Sequence, residues 1–203
     1  VDSWLPFGAW EERKSDRKVQ PGERITLGFD GSASGDSTAL IGCTLDGHLF
    51  VVGLWQNDGS PDYRVPREDV SITIDLAFSK YDVLGLYCDP WGYRSEIETW
   101  TARYGSNRVF EYNTGFSGRM GPASDRLYQA VMTGQVSHDG DSRLAAHVSH
   151  AVAKSTPQGD VVTKDKRGSP RKIDACVAAI VAFDRAAHHV TNPPKRYRAM
   201  SFP

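Results

Sequence analysis

The chain has 203 residues, 39% of them hydrophobic and 24% charged, with a formal net charge of −1. That suits one globular α/β-sized domain with arms, able to bury a core without disulfides or a structural metal, and it excludes disordered and collagen-like classes. The balanced charge excludes a uniformly basic nucleic-acid binder but leaves room for a local basic groove.

Cys43, Cys88 and Cys176 lie far apart in apolar runs, so they read as small buried hydrophobes of a reducing compartment rather than a disulfide framework or zinc site. No apolar run is long enough for a transmembrane helix and no signal peptide opens the chain, so no membrane partner is expected. The first residue is Val rather than Met, and the chain is read as a piece of a longer protein.

Residues 1–23 are polar and irregular, with bulky anchors at Trp4, Phe7 and Trp10 and a break at Pro21-Gly22. They predict an incoming linker or arm whose aromatics pack on the domain at 24–190. Ile25, Leu27 and Phe29 alternate with polar or small residues, which predicts a strand ending at Asp30. The turn-rich loop Gly31-Ser32-Ala33-Ser34-Gly35-Asp36 follows, then a strand over 37–45, the hairpin signal Asp46-Gly47, and a strand from His48 to Gln56. Pro66 with Glu68 and Asp69 starts a helix. Val70, Ile74, Ala77, Phe78 and Tyr81 share one of its faces. Val83 to Cys88 predicts a buried strand that ends at Asp89-Pro90. A helix fits 93–104, with Ile97, Trp100 and Tyr104 inward and Gly105 as its stop.

Arg108 to Tyr112 predicts a fifth strand. After a glycine-rich loop, Pro122 opens a helix ending near Gly134, and a further helix spans 141–154. A strand over 160–164, a turn at Lys166-Arg167-Gly168 and a helix from about Lys172 to His188 complete the domain. Residues 191–203 read as a Pro-rich basic tail. Three antiparallel strands followed by βα units predict an α/β fold: a mixed five-stranded sheet with helices on both faces. The order resembles the RNase H-like fold, in which the first strand neighbours the fourth.

In that arrangement Asp30 and Asp89 close adjacent parallel strands about 4.8 Å apart and emerge at one sheet edge. Asp174, in the first turn of the last helix behind Arg171 and Lys172, is placed to complete a three-carboxylate site. Asp36, six residues past Asp30, is a candidate outer or second-metal ligand. Each acid alone has a plain reading as a turn former or helix-start residue; the three together point to metal binding. Hard oxygen donors select Mg2+ or Mn2+, and two such ions can clamp the attacking and leaving oxygens of a phosphodiester.

Gly28-Phe29-Asp30-Gly31-Ser32 with Asp36-Ser37-Thr38-Ala39-Leu40 resembles the first nuclease motif of phage terminase large subunits. Leu86-Tyr87-Cys88-Asp89-Pro90, before a Trp/Tyr-rich helix start, resembles the second. Ser137-His138-Asp139-Gly140-Asp141 and Ser169-Pro170-Arg171-Lys172-Ile173-Asp174-Ala175 resemble the region leading to the third acid. The likeness spans about 24–187. It implies a two-metal endonuclease that cuts concatemeric viral duplex DNA during genome packaging, working in the host cytoplasm and not as a virion component. The implied partners are double-stranded DNA, a terminase ATPase domain, the small terminase subunit and the portal or procapsid. No G-x-x-x-x-G-K-[ST] occurs in the chain, so ATPase activity is not expected of it.

Arg119, Lys166, Arg167, Arg171 and Lys172 are candidate DNA-backbone contacts, Arg119 and the Lys166-Arg167 turn as flexible loops beside the site. Arg94, Arg103 and Arg108 read as solvated charge. Lys195-Arg196-Tyr197-Arg198 in the tail reads either as a contact to DNA or portal or as a plain disordered end. His147 and His150, at i and i+3, lack a third ligand and read as surface or capping histidines. Rival readings are another RNase H-like nuclease such as a Holliday-junction resolvase, a non-catalytic portal or procapsid docking module, and an actin/sugar-kinase fold. Cleavage of linear against branched DNA separates the first from a terminase.

Overall fold

Strands β1 (Arg24–Asp30), β2 (Thr38–Thr44) and β3 (His48–Trp55) form the antiparallel meander that the alternation and the Asp46-Gly47 signal predict. Gly47 closes the turn at φ 86°, a conformation that glycine adopts without a Cβ penalty. The structure is a computed structural model and describes residues 2–31, 37–57 and 59–193. Helix α1 (Arg67–Lys80), strand β4 (Asp82–Cys88), helix α2 (Arg94–Tyr104) and strand β5 (Val109–Glu111) follow in the expected order. Then come α3 (Ser117–Thr133), β6 (Ser137–His138), α4 (Ser142–His150), the pair β7 (Val152–Thr156) and β8 (Gly159–Thr163), and α5 (Asp174–Thr191).

The main sheet has the order β5-β4-β1-β2-β3-β6, with β4 parallel to β1 and β5. This is the RNase H-like arrangement, with the first strand beside the fourth. It has six strands rather than five, because Ser137-His138 adds a parallel pairing to His48-Leu49. Two residues are too few for alternation to reveal.

Helices cover both faces, and β1 shows how. Ile25, Leu27 and Phe29 pack with Val70, Ile74 and Trp100 of α1 and α2. The alternate residues face α5: the Thr26 hydroxyl donates to the Ala182 carbonyl at 2.7 Å. A Cβ on Gly28 would fall 2.2 Å from the Ala178 carbonyl oxygen. Two strand residues advance about 6.7 Å and four helix residues about 6 Å. Thr26–Ala182 and Gly28–Ala178 therefore set a register that runs on to Asp30 and Asp174. The small buried residues Ala175, Ala178, Ala179 and Ala182 let α5 lie this close.

Four sequence expectations change. Helix α3 starts at Ser117, so Pro122 lies inside it instead of opening it. The residues before Pro122 belong to the helix, and Gly121 serves close packing: a Cβ there would meet the Gln158 carbonyl at 2.4 Å. Helix α4 stops at His150, and residues 152–156 form β7, paired with β8 through a turn at Pro157-Gln158. The strand expected at 160–164 is thus half of a separate hairpin. Trp4 and Trp10 are buried, but Phe7 is fully exposed and anchors nothing. Trp10 stacks on His138 with centroids 4.3 Å apart, and its carbonyl lies 2.6 Å from His138 Nε2. The last helix begins at Asp174 and ends at Thr191. Tail residues Lys195, Arg196, Tyr197 and Arg198 lie outside the described residues.

Candidate active site

Asp30 ends β1, and the parallel ladder with β4 pairs Phe29 with Cys88. The Asp89 amide continues that ladder by donating to the Phe29 carbonyl at 3.1 Å. Asp30 and Asp89 therefore leave neighbouring parallel strands at successive positions of one sheet edge. By the period of two, Asp89 shares a face with Tyr87, whose hydroxyl meets His189 of α5 at 3.0 Å. Asp174 opens α5 and lines one cleft of about 230 Å³ together with Asp30, Thr114, Ser117 and Lys164. Asp30 and Asp174 are each 8% exposed, so the carboxylates stand at the floor of the cleft rather than in bulk water.

Each acid has local support. A Cβ on Gly31 would lie 2.4 Å from the Tyr93 ring, so glycine after Asp30 lets that ring close against the strand end. Tyr93 packs edge-on to Phe29 at 4.9 Å and shares a 3.2 Å hydroxyl contact with Thr38. The Ser37 hydroxyl donates to the Asp174 carboxylate. The Thr114 amide donates to Asp89 Oδ1 at 3.4 Å. Burial raises the Asp89 carboxyl above its ordinary value, and the contacts from Thr114 oppose only part of that.

Among the described residues, no group of three His, Cys, Asp or Glu side chains closes on a point as a finished metal cage would. Asp36 lies outside the described residues. The donor set is nevertheless hard: carboxylates backed by a hydroxyl, with the thiols of Cys43, Cys88 and Cys176 buried elsewhere and raised by desolvation.

The basic candidates separate by element. Lys166 and Arg167 are exposed in the segment from β8 to α5, where Gly168 takes φ 73°. Arg171 is exposed and Lys172 half-buried just ahead of Asp174. Arg119 is not in a glycine-rich loop: it is the third residue of α3, with its guanidinium 4.4 Å above the Tyr112 ring. Arg94, Arg103 and Arg108 form ion pairs with Glu111, Asp75 and Asp82. Of the stretch 137–141, Asp139 accepts from the Val51 amide and Asp141 caps α4, which are structural duties.

Sequence reasoning passed over Ser37 and Thr114 as supporting residues. Ser37 stands beside Asp36 in the sequence, but its partner is 137 residues away, a separation that no local pattern reveals. Thr114 reaches Asp89 through both its amide and its side chain, from a position 25 residues away that no local pattern links to it.

His147 is a buried residue held between two hydrogen bonds: Nδ1 accepts from the Ala175 amide at 2.9 Å, and Nε2 meets Gln56 Oε1 at 2.8 Å. Burial, with the positive charges of His150, Lys164 and Lys172 adding, pushes its imidazole down to about 4. The unfolded chain takes that proton near pH 6.5. Above this pH both states are neutral and the folded state keeps its full stability. As pH falls toward about 4 the unfolded chain gains the proton first, so stability drops by on the order of 3 kcal/mol. Urea unfolding across this range is expected to show that slope in the wild type and a shallower one in His147→Asn.

An RNase H-like sheet with acids at the carboxyl ends of adjacent strands and at the start of the packing helix defines a class of domain. The family model described as "Terminase large subunit, endonuclease domain" matches residues 65–190. The chain belongs to that family. The matched stretch contains Asp89 and Asp174 and starts beyond Asp30. "Gene 13 protein" of Mycobacterium phage L5 is 36% identical over 207 residues, covering 90% of this chain and 34% of that protein. The chain thus spans about a third of the length of such curated relatives. The large terminase of bacteriophage HK97 superposes with a TM-score of 0.74 at 21% identity, covering 91% of this chain and 43% of that one. The large terminase nuclease of thermophilic phage G20c gives a TM-score of 0.65 at 16% identity, covering 91% and 99%. That nuclease has also been solved with bound magnesium, cobalt and zinc.

Proposed function

We propose that this chain is the endonuclease part of a phage DNA-packaging motor and cuts concatemeric duplex DNA with divalent cations. The observation that carries the reading is the shared sheet edge: Asp30 and Asp89 leave adjacent parallel strands, and Asp174 lines the same cleft as Asp30. In this reading Asp30, Asp89 and Asp174 hold two Mg2+ or Mn2+ ions, with Asp36 as an outer ligand. When bound, the cations supply Lewis-acid charge for phosphodiester hydrolysis. Ser37 holds the Asp174 carboxylate, and the Thr114 amide holds Asp89. Val161 and Val162 contribute apolar wall to the cleft. The magnesium-bound G20c nuclease, which shares the fold, supports a divalent-metal site.

The test is plasmid nicking and linearisation with Mg2+, with Mn2+ and with EDTA. Cutting with either metal and none in EDTA is expected; equal cutting in EDTA contradicts the metal mechanism. Little sequence preference is expected, because the proposed grip is through basic side chains suited to phosphates, which carry no sequence information.

DNA grip in this reading comes from Lys166 and Arg167, with Arg171 and Lys172 ahead of Asp174 and Arg119 on α3, where it stacks on Tyr112. Each lost phosphate contact lowers the dependence of log affinity on log salt by roughly 0.9 for duplex DNA. The Lys166→Ala/Arg167→Ala pair is therefore expected to bind more weakly and to show a slope shallower by about 2. An unchanged slope places the groove elsewhere.

The chain is not expected to hydrolyse ATP, because its sequence contains no phosphate-binding loop. With a net charge of −1 it attracts DNA weakly at long range, so the motor's ATPase domain, small terminase subunit and portal are proposed to hold it on DNA in the host cytoplasm.

A further inference from the structure

Helix α5 begins without a local cap. Its N-cap residue is Ile173, whose side chain has no acceptor, and no side-chain cap hydrogen bond is made from that position. The first-turn amides of a helix have no intrahelical partners and need acceptors from elsewhere. Here the acceptor for Ala175, the residue after Asp174, is an imidazole from another helix: His147 Nδ1, at 2.9 Å. Three residues on, at the end of α4, His150 Nδ1 lies 2.8 Å from the Lys172 carbonyl. The two rings are 6.3 Å apart and nearly parallel, 28° between planes. One takes an N–H just after Asp174, and the other binds a C=O just before it.

We propose that His147 and His150 form a clamp that positions Asp174, fixing the backbone from Lys172 to Ala175 so that the carboxylate enters the cleft beside Asp30. The inference rests on Asp174 being a metal-holding residue, as proposed above, and gives the histidines a positioning role rather than a ligand role.

The hydrogen bonds fix the ring chemistry. A backbone N–H only donates, so Nδ1 of His147 carries no proton, and its Nε2–H donates to Gln56 Oε1. A carbonyl only accepts, so His150 presents the opposite tautomer, with Nδ1–H donating to Lys172. His147 thus ties three points together: the chain leaving β3 at Gln56, helix α4, and the start of α5. Both nitrogens of His147 are engaged in these contacts, so the ring braces the site instead of offering a lone pair to a cation.

Two amide substitutions separate the positioning contact from general packing. Asn at 147 places its side-chain oxygen near the position of Nδ1 and can still accept from Ala175. Gln places its amide near the position of Nε2 and keeps only the Gln56 side. Supporting partners of metal ligands are worth roughly 10–100-fold in metal affinity or activity. For His147→Gln, the Mn2+ concentration giving half-maximal plasmid cleavage is expected to rise at least about tenfold, with DNA affinity unchanged. His147→Asn is expected to retain most of the wild-type response.

The companion readout is hydrogen exchange at the Ala175 amide in the metal-free protein, followed by NMR. Protection is expected in the wild type and His147→Asn, and its loss in His147→Gln. Equal protection in all three, or equal loss of metal response in Asn and Gln variants with matching melting temperatures, overturns the clamp. If the wild type does not cleave at all, the nuclease reading fails, and the Ala175 exchange pattern still decides the clamp by itself.

Discussion

Asp30→Asn, Asp89→Asn and Asp174→Asn are each expected to cut plasmid DNA at least about a thousandfold more slowly than the wild type, a loss of about 4 kcal/mol of transition-state stabilisation. An amide keeps the shape of the carboxylate and can still accept a hydrogen bond, as Asp89 Oδ1 does from the Thr114 amide. It loses the charge that holds a hard divalent cation. The fold is not expected to suffer. Burial raises the Asp89 carboxyl, so the folded state prefers the protonated form. The stability tied to that preference is complete below the unfolded value near 3.9 and is lost as pH rises through the folded value. At neutral pH the metal-free Asp89→Asn protein should therefore melt at or above the wild type, and the difference should vanish below about pH 4. Wild-type cutting by Asp89→Asn removes that residue from the site. Lowered melting in all three metal-free variants assigns the acids to structural duty.

Gly28→Ala is expected to damage both stability and cutting, although the residue touches neither metal nor DNA. Its Cβ would stand 2.2 Å from the Ala178 carbonyl oxygen and 2.9 Å from the Ala182 nitrogen, both backbone atoms of α5. No side chain can rotate away, so α5 must lift from β1. Overpacking of this kind costs about 3 kcal/mol or more, which in a domain of this size lowers the melting temperature by roughly 6–12 °C. The lift also carries Asp174 away from Asp30, because the Thr26–Ala182 and Gly28–Ala178 contacts set the register between them. A displacement near 1 Å costs on the order of a hundredfold in rate. Melting by calorimetry and cleavage at saturating Mn2+ check both halves. A Gly28→Ala protein that melts within a degree of wild type and cuts normally contradicts the account of how α5 is placed.

Much of this was legible in the chain. Ile25, Leu27 and Phe29 at period two, Asp46-Gly47, and Val70, Ile74 and Ala77 at helical spacing each mark an element by local physics. Elements of this kind carry Asp30 and Asp89 to the sheet edge. What escaped was written in contacts between distant residues. β6 is two residues long, so only its neighbour His48-Leu49 defines it. Helix α3 holds Pro122 as its sixth residue, past the first turn where proline is ordinarily placed, so the Pro signal marked the wrong start, and Gly121 is needed for the close approach of the Gln158 carbonyl from the hairpin. Local pattern favoured continuing α4 past His150, while the strand pairing of Val152–Thr156 with Gly159–Thr163 ends it. The supports of the site were the least legible. Ser37, the Thr114 amide and His147 act through partners 137, 25 and 28 residues away.

The central claim is that Asp30, Asp89 and Asp174 form one divalent-cation site. A crystal of this chain grown or soaked with Mn2+ tests it most directly, through the anomalous signal of the metal. The account predicts strong peaks at the sheet edge where Asp30 and Asp89 leave their strands, beside Asp174 in the cleft it shares with Asp30, and loss of at least one peak in Asp174→Asn. No peak at the acids in Mn2+-saturated crystals, or a peak held instead by His147 and His150, contradicts it.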